Sequence, residues 1–358
     1  MIISFLLVCL STYLIWKVSA SFDAASSYLT RNLNEGIKGP TVNAIASSLP
    51  ELLISFFFLF YIGDVQGFSA GYATIIGSSI FNIAIIPTIS FLIIYYQKGI
   101  DLFPTDKKII EQDGFFLILT EMALLVGLYL GGISITLSIV LILLYCLYIV
   151  LVFKKRSKKH EEEIETEEIE IAKNTSPFFK KILDLDIASL ILRNRKMTSL
   201  KAVVILLISL AIISSACKLL VSSSEHLSIQ LNINLFFITF LIAAVASSIP
   251  DTILSIQDAK NKKYKDAFSN AYGSNIFDIC IGIGLPVLVY LLINGIDEIS
   301  TQSSASSSND IILSSSILLV LFSILITLIY WLKPVNKSRS ILIISLYLIF
   351  LGIIFFKS

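Results

Sequence analysis

Charge is what this 358-residue chain has least of: 15% of its residues are Asp, Glu, Lys or Arg, where soluble domains carry about a quarter. That deficit excludes a soluble enzyme. The same charge-poor, apolar composition excludes a soluble nucleic-acid binder. Histidine occurs twice and cysteine four times. Cys9, Cys146, Cys217 and Cys280 each fall alone inside an apolar run, which excludes a disulfide framework and a thiolate or imidazole metal centre. They read as small packing residues.

What fills the chain is apolar. Hydrophobic residues make up 56% and mean hydropathy is +0.86. The apolar residues are gathered in runs of about 20, the length a helix needs to cross a bilayer core. The runs predict spans near 2–19, 36–61, 69–97, 114–132, 134–153, 199–222, 234–257, 266–294, 311–332 and 340–357. With those spans, 25 of the 27 Lys and Arg fall on one side, and only Lys218 and Lys357 lie opposite. Positive charge collects in cytoplasmic loops, so both termini are expected outside and the connecting loop 154–198 inside. The fold expected is an all-α integral membrane protein of the cell membrane, with ten transmembrane helices. Val18-Ser19-Ala20 resembles a signal cleavage site, but nothing basic precedes Lys17, as a signal peptide would require. Within the loop, the acidic stretch 161–170 reads as solvated linker.

The sequence repeats itself. VNAIASSLPE at 42–51 returns as IAAVASSIPD at 242–251, and GSSIFN at 77–82 returns as GSNIFD at 273–278. Five expected spans lie in 1–153 and five in 199–358, so the two copies cross the membrane in opposite directions. Inverted repeats with interrupted helices place a binding site at the midplane between them.

The motif has the chemistry of a cation site. Proline removes a backbone hydrogen bond, so Pro50 and Pro250 are expected to break their spans at the midplane and free carbonyls around Ala44–Ser47 and Ala244–Ser247. Ser47, Ser48, Ser247 and Ser248 add hydroxyls, and each proline is followed by an acid, Glu51 or Asp251. Ser78 and Asn82, like Ser274 and Asp278, are four apart and share a helix face. An all-oxygen cage with three carboxylates suits a hard cation such as calcium. Acids at bilayer depth are too costly to stand uncompensated. Glu121 is a further mid-span acid, read equally as a protonated or locally paired group or as a proton or cation relay.

These motifs resemble those of the cation/calcium exchanger superfamily, in its sodium/calcium exchanger branch. The resemblance implies ten helices in two inverted sets of five. It implies Glu51 and Asp251 as the principal calcium ligands, with the Ser47 and Ser247 carbonyls beside them. The Ala44 and Ala244 carbonyls and the Ser48, Ser248, Ser78 and Ser274 side chains would serve flanking sodium sites, and Asn82 and Asp278 would complete the centre. Ser79 stands where the family has asparagine, a position read as structural. The second repeat is similar to the potassium-dependent branch. The resemblance implies a secondary active antiporter, not an enzyme, that exports calcium against sodium by alternating access, its first and sixth helices gating. Exchange involving protons or potassium is the alternative. Sodium and calcium are thus cargo, and inorganic cations and the lipid bilayer the partners, with no obligate protein partner. An intramembrane aspartyl protease is disfavoured because neither Asp251 nor Asp278 follows Gly-x-Gly, and a channel because such pores are usually shared between subunits.

Overall fold

With no water to satisfy them, backbone polar groups in an apolar run must pair within their own segment, and nearly every described run is helical. The computed structural model describes all residues except 34–36, 100, 104–105, 131, 157–180, 182–183, 194, 301–305 and 358. The acidic stretch 161–170 lies outside the described residues. In the first half, α1 (Ile2–Leu29) leads to a π-helical turn (Gly39–Asn43), α2 (Ala44–Ser47) and α3 (Leu49–Ile62). Then come α4 (Asp64–Lys98), α5 (Lys107–Tyr129) and α6 (Ile135–Arg156). The connecting region contributes the short α7 (Ile187–Leu192).

The second half opens with α8 (Ser199–Leu231) and α9 (Leu235–Ile238), followed by a π-helical turn (Thr239–Ala243), α10 (Ala244–Ser247) and α11 (Ile249–Lys260). It continues with α12 (Tyr264–Phe277), a third π-helical turn (Asp278–Ile283), α13 (Gly284–Asn294), α14 (Ser306–Leu332) and α15 (Lys337–Lys357). The first two π-helical turns occupy equivalent positions in the repeated text, five residues ending just before each half-helix AIAS or AVAS.

Among the described residues, eight helices are long and apolar enough to cross a membrane, or nine if the pair Pro40–Ser47 and Leu49–Ile62, bent by 46°, is one span. The ten expected from the sequence are not reached on this measure. The helix that falls short is α5, whose 23 residues include Lys107, Lys108, Glu111, Asp113 and Glu121. It nevertheless runs antiparallel to α14 along its length. Trp331 Nε1 donates to Glu111 (2.8 Å), and Ser323 Oγ donates to Glu121 (2.7 Å). Both ends of the pair are tied as well. Phe103, ahead of α5, bridges Val335, just past α14. Beyond the other end, strand β1 (Gly132–Ser134) pairs antiparallel with β2 (Glu298–Ser300), Gly132 opposite Ser300.

The buried apolar side chains form two clusters. One joins α1 and α8 to Ile54 and Phe58 of α3, to α7, and to Ala243 and Ala246 beside the second break. The other joins α4, α5, α6 and α12–α15. The broken helices lie where these bodies meet.

The halves also exchange equivalent contacts. A Cβ on Gly77 would collide with the Phe240 carbonyl oxygen, and one on Gly273 would meet Pro40 Cα at 2.7 Å. Gly77 and Gly273 are equivalent in the repeat, as are Phe240 and Pro40. Each glycine admits the backbone of the other half's π-helical turn, a closeness only glycine allows. Gly77→Ala and Gly273→Ala are expected to destabilise the fold by about 1–3 kcal/mol each through overpacking against backbone. Gly352→Ala, whose Cβ would meet nothing within 4 Å, should be neutral; thermal unfolding of the detergent-solubilised protein reads the difference.

Candidate cation site

Pro50 and Pro250 sit in the first turns of α3 and α11, where a missing N–H costs nothing. The breaks therefore fall at Ser48 and Ser248. Each break starts a new helix whose first N–H groups lack intrahelical partners and form the positive end of a helix dipole. Glu51 and Asp251 stand in those first turns, so the fold offers each acid a favourable field without an ion pair. Both are 0% exposed, as is Asp278.

The hydroxyls reach across the repeats. Ser78 Oγ donates to Glu51 Oε1 (3.3 Å), and Ser248 Oγ approaches the same oxygen at 3.4 Å while sharing a 2.8 Å bond with Ser78. Ser274 Oγ donates to Asp251 Oδ1 at 2.6 Å. Ser247 interacts with Glu51, and Ser47 with Asp251, each serine serving the acid of the opposite half. Asn82 Nδ2 donates to Ser78 Oγ at 3.3 Å. Glu51, Asp251 and Asp278 are close enough to interact electrostatically. The sequence-derived residues are thus gathered in one place.

Two points differ from the expected cage. The Ala44 and Ala244 carbonyls are not free. Each accepts the backbone N–H of Ser48 or Ser248 (3.0 and 3.1 Å). The Ala244 carbonyl also accepts the Ser247 hydroxyl at 3.1 Å, whereas the Ser47 hydroxyl donates to the Asn43 carbonyl at 2.7 Å and only approaches Ala44 at 3.4 Å. An ion using the Ala244 carbonyl would have to compete with that hydroxyl. Nor do three acidic, imidazole or thiol side chains converge as one metal-holding group among the described residues. An ion here would take much of its coordination from hydroxyl, amide and backbone oxygen.

The hydrogen bonding leaves a remainder made mostly of acceptors. Glu51 Oε2, Asn82 Oδ1, Asp251 Oδ2, Asn270 Oδ1, both carboxylate oxygens of Asp278 and the Ser48 hydroxyl are buried without a partner at hydrogen-bond geometry. The Ser48 and Ser78 hydroxyls lie close enough to Asp278 to interact with it; the others are oxygens that only accept. Buried polar atoms are nearly always satisfied, and a group of orphaned acceptors with two or more carboxylates fits a hard cation.

Asn270 and Ser255 were not read from the sequence. Asn270 Nδ2 donates to Asp251 Oδ1 and to Ser255 Oγ, both at 3.2 Å. The signal was present, because Asn270 lies one turn before Ser274 and extends the stripe Asn270–Ser274–Asp278 on one face. The first half has Thr74–Ser78–Asn82 in the same register. Asn275, by contrast, donates to the backbone oxygen of Ser79 at 2.7 Å. That joins the two halves through the backbone of position 79, while the Ser79 hydroxyl itself is buried without a hydrogen-bond partner. Glu121 lies among Tyr72, Tyr272 and Ser323, with a serine donor on one oxygen and none on the other.

The sodium/calcium exchanger protein family matches residues 3–154 and 201–356. The chain belongs to that family. Its members are exchangers, secondary transporters rather than enzymes, and this chain is accordingly an exchanger-family antiporter of the membrane. Sodium/potassium/calcium exchanger 2 of Gallus gallus is 34% identical over 110 residues, 31% of this chain and 16% of that protein. Sodium/potassium/calcium exchanger 1 of Bos taurus is 34% identical over the same length, 9% of its own chain. The matches thus span less than a fifth of these curated relatives. Among solved structures, an H+/Ca2+ exchanger, CAX, superposes with a TM-score of 0.64 at 18% identity, over 99% of this chain and 88% of its own. The sodium-calcium exchanger NCX_Mj gives 0.56 at 22% identity, over 98% and 97%. At those identities the likeness is one of fold.

Asn270→Leu removes the orphaned Oδ1 as well as the amide that orients Asp251. If the site holds a cation, losing that oxygen, worth about 1–3 kcal/mol, should weaken its binding by roughly tenfold, measured as the apparent KM for transport. Asn275→Leu should instead lower the unfolding midpoint with little change in KM.

Proposed function

We propose that this exchanger-family protein moves calcium out of the cell in exchange for sodium, by alternating access. The observation that carries the reading is the set of orphaned oxygens on Glu51, Asn82, Asp251 and Asp278, drawn from both halves and buried in an apolar bundle. On this reading Glu51 and Asp251 hold calcium, with Ser47, Ser247, Asn82 and Asp278 completing its shell. The flanking sodium sites use Ser48, Ser78, Ser248 and Ser274, together with the carbonyls of Ala44 and Ala244.

Ten spans in two inverted sets, 1–153 and 199–358, joined by a cytoplasmic segment 154–198, are the architecture proposed. What supports counting α5 as a span is its antiparallel course beside α14, tied at both ends. What supports inversion is the reciprocal seating of Gly77 on Phe240 and of Gly273 on Pro40. Both termini then lie outside.

Charge balance couples the ions. With Glu51, Asp251 and Asp278 ionised, three sodium ions neutralise the cavity, whereas one calcium leaves it one charge short; a proton on Asp278 restores the balance. Either load lets the site change sides, while an empty cage is held back by the cost of enclosing bare carboxylates in a low dielectric. The separate apolar cluster around α1 and α8 favours those two helices as the moving pair. A potassium-coupled version is the second reading, favoured by the sodium/potassium/calcium exchangers among the relatives.

Calcium uptake into sodium-loaded proteoliposomes diluted into sodium-free buffer tests this. Uptake should require internal sodium and be lost in Glu51→Gln and Asp251→Asn. Dependence on external potassium would select the second reading. Uptake driven by a pH gradient and indifferent to sodium would overturn both.

A further inference from the structure

Glu121 is a buried acid that the cation site does not use. It is 1% exposed, and it differs from the cage acids wherever a carboxylate could find support. Glu51 and Asp251 stand in the first turns of their helices, where free N–H groups and the helix dipole favour negative charge. Glu121 lies in the interior of α5, where the backbone N–H groups are engaged. Glu51 interacts with the hydroxyls of Ser78, Ser247 and Ser248, and Asp251 with Ser274, Ser47 and Asn270. Glu121 has the Ser323 hydroxyl at 2.7 Å from Oε1, and its Oε2 has no hydrogen-bond partner.

Nor does a cation offset it. Among the described residues no Lys, Arg or His lies near enough to act on Glu121. The titratable groups beside it are Tyr72 of α4 and Tyr272 of α12. Both hydroxyls are engaged elsewhere, Tyr72 with Ser316 and the Ile312 carbonyl, Tyr272 with Thr327 at 3.2 Å. Asp113, two turns earlier on α5, is held by Tyr148 and Ser269 (3.2 and 2.9 Å). A bare carboxylate with one hydrogen bond and no counter-ion is very costly in a low dielectric. Such a group takes up a metal ion or a proton.

A metal ion does not fit. Hard cations such as calcium take six to eight oxygens, and here the free ones are those of the carboxyl and Ser323. No three acidic, imidazole or thiol side chains form a metal-holding group among the described residues. The seam is also close: a Cβ on Gly114, two turns before Glu121, would meet Thr327 Cγ2 of α14 at 2.6 Å. A proton needs neither a shell of oxygens nor room.

We propose that Glu121 is a proton-binding site separate from the cation cage: a neutral carboxylic acid in the seam between α5 and α14, whose proton stays bound while cations pass through the cage. Ser323 is its hydrogen-bond partner, and the two fix α5 on α14. Glu121 then adds no charge to the balance among Glu51, Asp251 and Asp278. That consequence rests on the exchange reading; the proton site does not.

Infrared difference spectroscopy of the purified protein at neutral pH reads the proton directly. The unsubstituted protein minus Glu121→Gln should show the carbonyl stretch of one protonated carboxyl and no carboxylate bands. That stretch should persist when sodium is exchanged for calcium. In Ser323→Ala it should move to higher wavenumber, because the hydrogen bond to the carboxyl is gone, which tests the assignment with Glu121 itself intact. Carboxylate bands in place of the carbonyl stretch, or a stretch that vanishes on adding either cation, would overturn the proposal.

Transport supplies a second measurement. Glutamine has the shape of the neutral acid, so Glu121→Gln should keep its unfolding midpoint and a calcium KM within about twofold, against roughly tenfold for a lost ligand oxygen. A tenfold rise in KM with the midpoint unchanged would make Glu121 a cation ligand and sink the retained proton. Absence of sodium-driven calcium uptake in the unsubstituted protein would defeat the exchange reading instead, with the infrared result still deciding the proton.

Discussion

Enclosing Glu51, Asp251 and Asp278 in an apolar bundle is the constraint on which the rest of the structure depends. A bare carboxylate in a low dielectric costs several kcal/mol, and the three are fully buried. The protein meets part of that cost with fixed dipoles. Two helices begin immediately before Glu51 and Asp251, and serine hydroxyls and the Asn270 amide donate to one oxygen of each acid. The other oxygen of each is left without a hydrogen-bond partner. An ion pair with Lys or Arg would have satisfied the acids permanently and closed the site.

That arrangement explains why broken helices and close-packed glycines occur together. A continuous helix would keep its N–H groups engaged, so the positive helix ends exist only because Pro50 and Pro250 interrupt the hydrogen-bond ladder. The interrupted backbone must then be shielded from lipid. Here the shielding comes from the other half, whose α4 or α12 approaches each π-helical turn through Gly77 or Gly273. Breaking the helices and seating one half on the other are thus two sides of a single solution.

The division of the apolar core into two bodies gives the site its position and its freedom. The α1–α8 body and the larger body of α4, α5, α6 and α12–α15 meet along the broken helices. Sliding of one body against the other would change which end of the site is open. A cavity lined by Asp23 and Ser47 lies on this boundary, between α1 and α11.

Much of this was legible in the order of residues. Acid after proline, twice, with a polar stripe at spacing four, marked out the residues of the buried oxygen-rich site, because charge is tolerated at bilayer depth only where it has work to do. The apolar runs marked α5 as a span, 114–132, but taken as a helix by its length and composition it falls short. Its charges reach partners such as Trp331 and Ser323 on α14, and a sum over one segment cannot see a neighbour. Tertiary structure alone decided that the Ala44 and Ala244 carbonyls are already bonded, that Asn270 holds Asp251, and that Glu121 meets Ser323. It also placed Asp23 on a cavity reaching Ser47. Each of these depends on distances between segments remote in sequence, set by how the helices pack. Composition and spacing determine which chemistry is present; packing determines which atoms are left free to perform it.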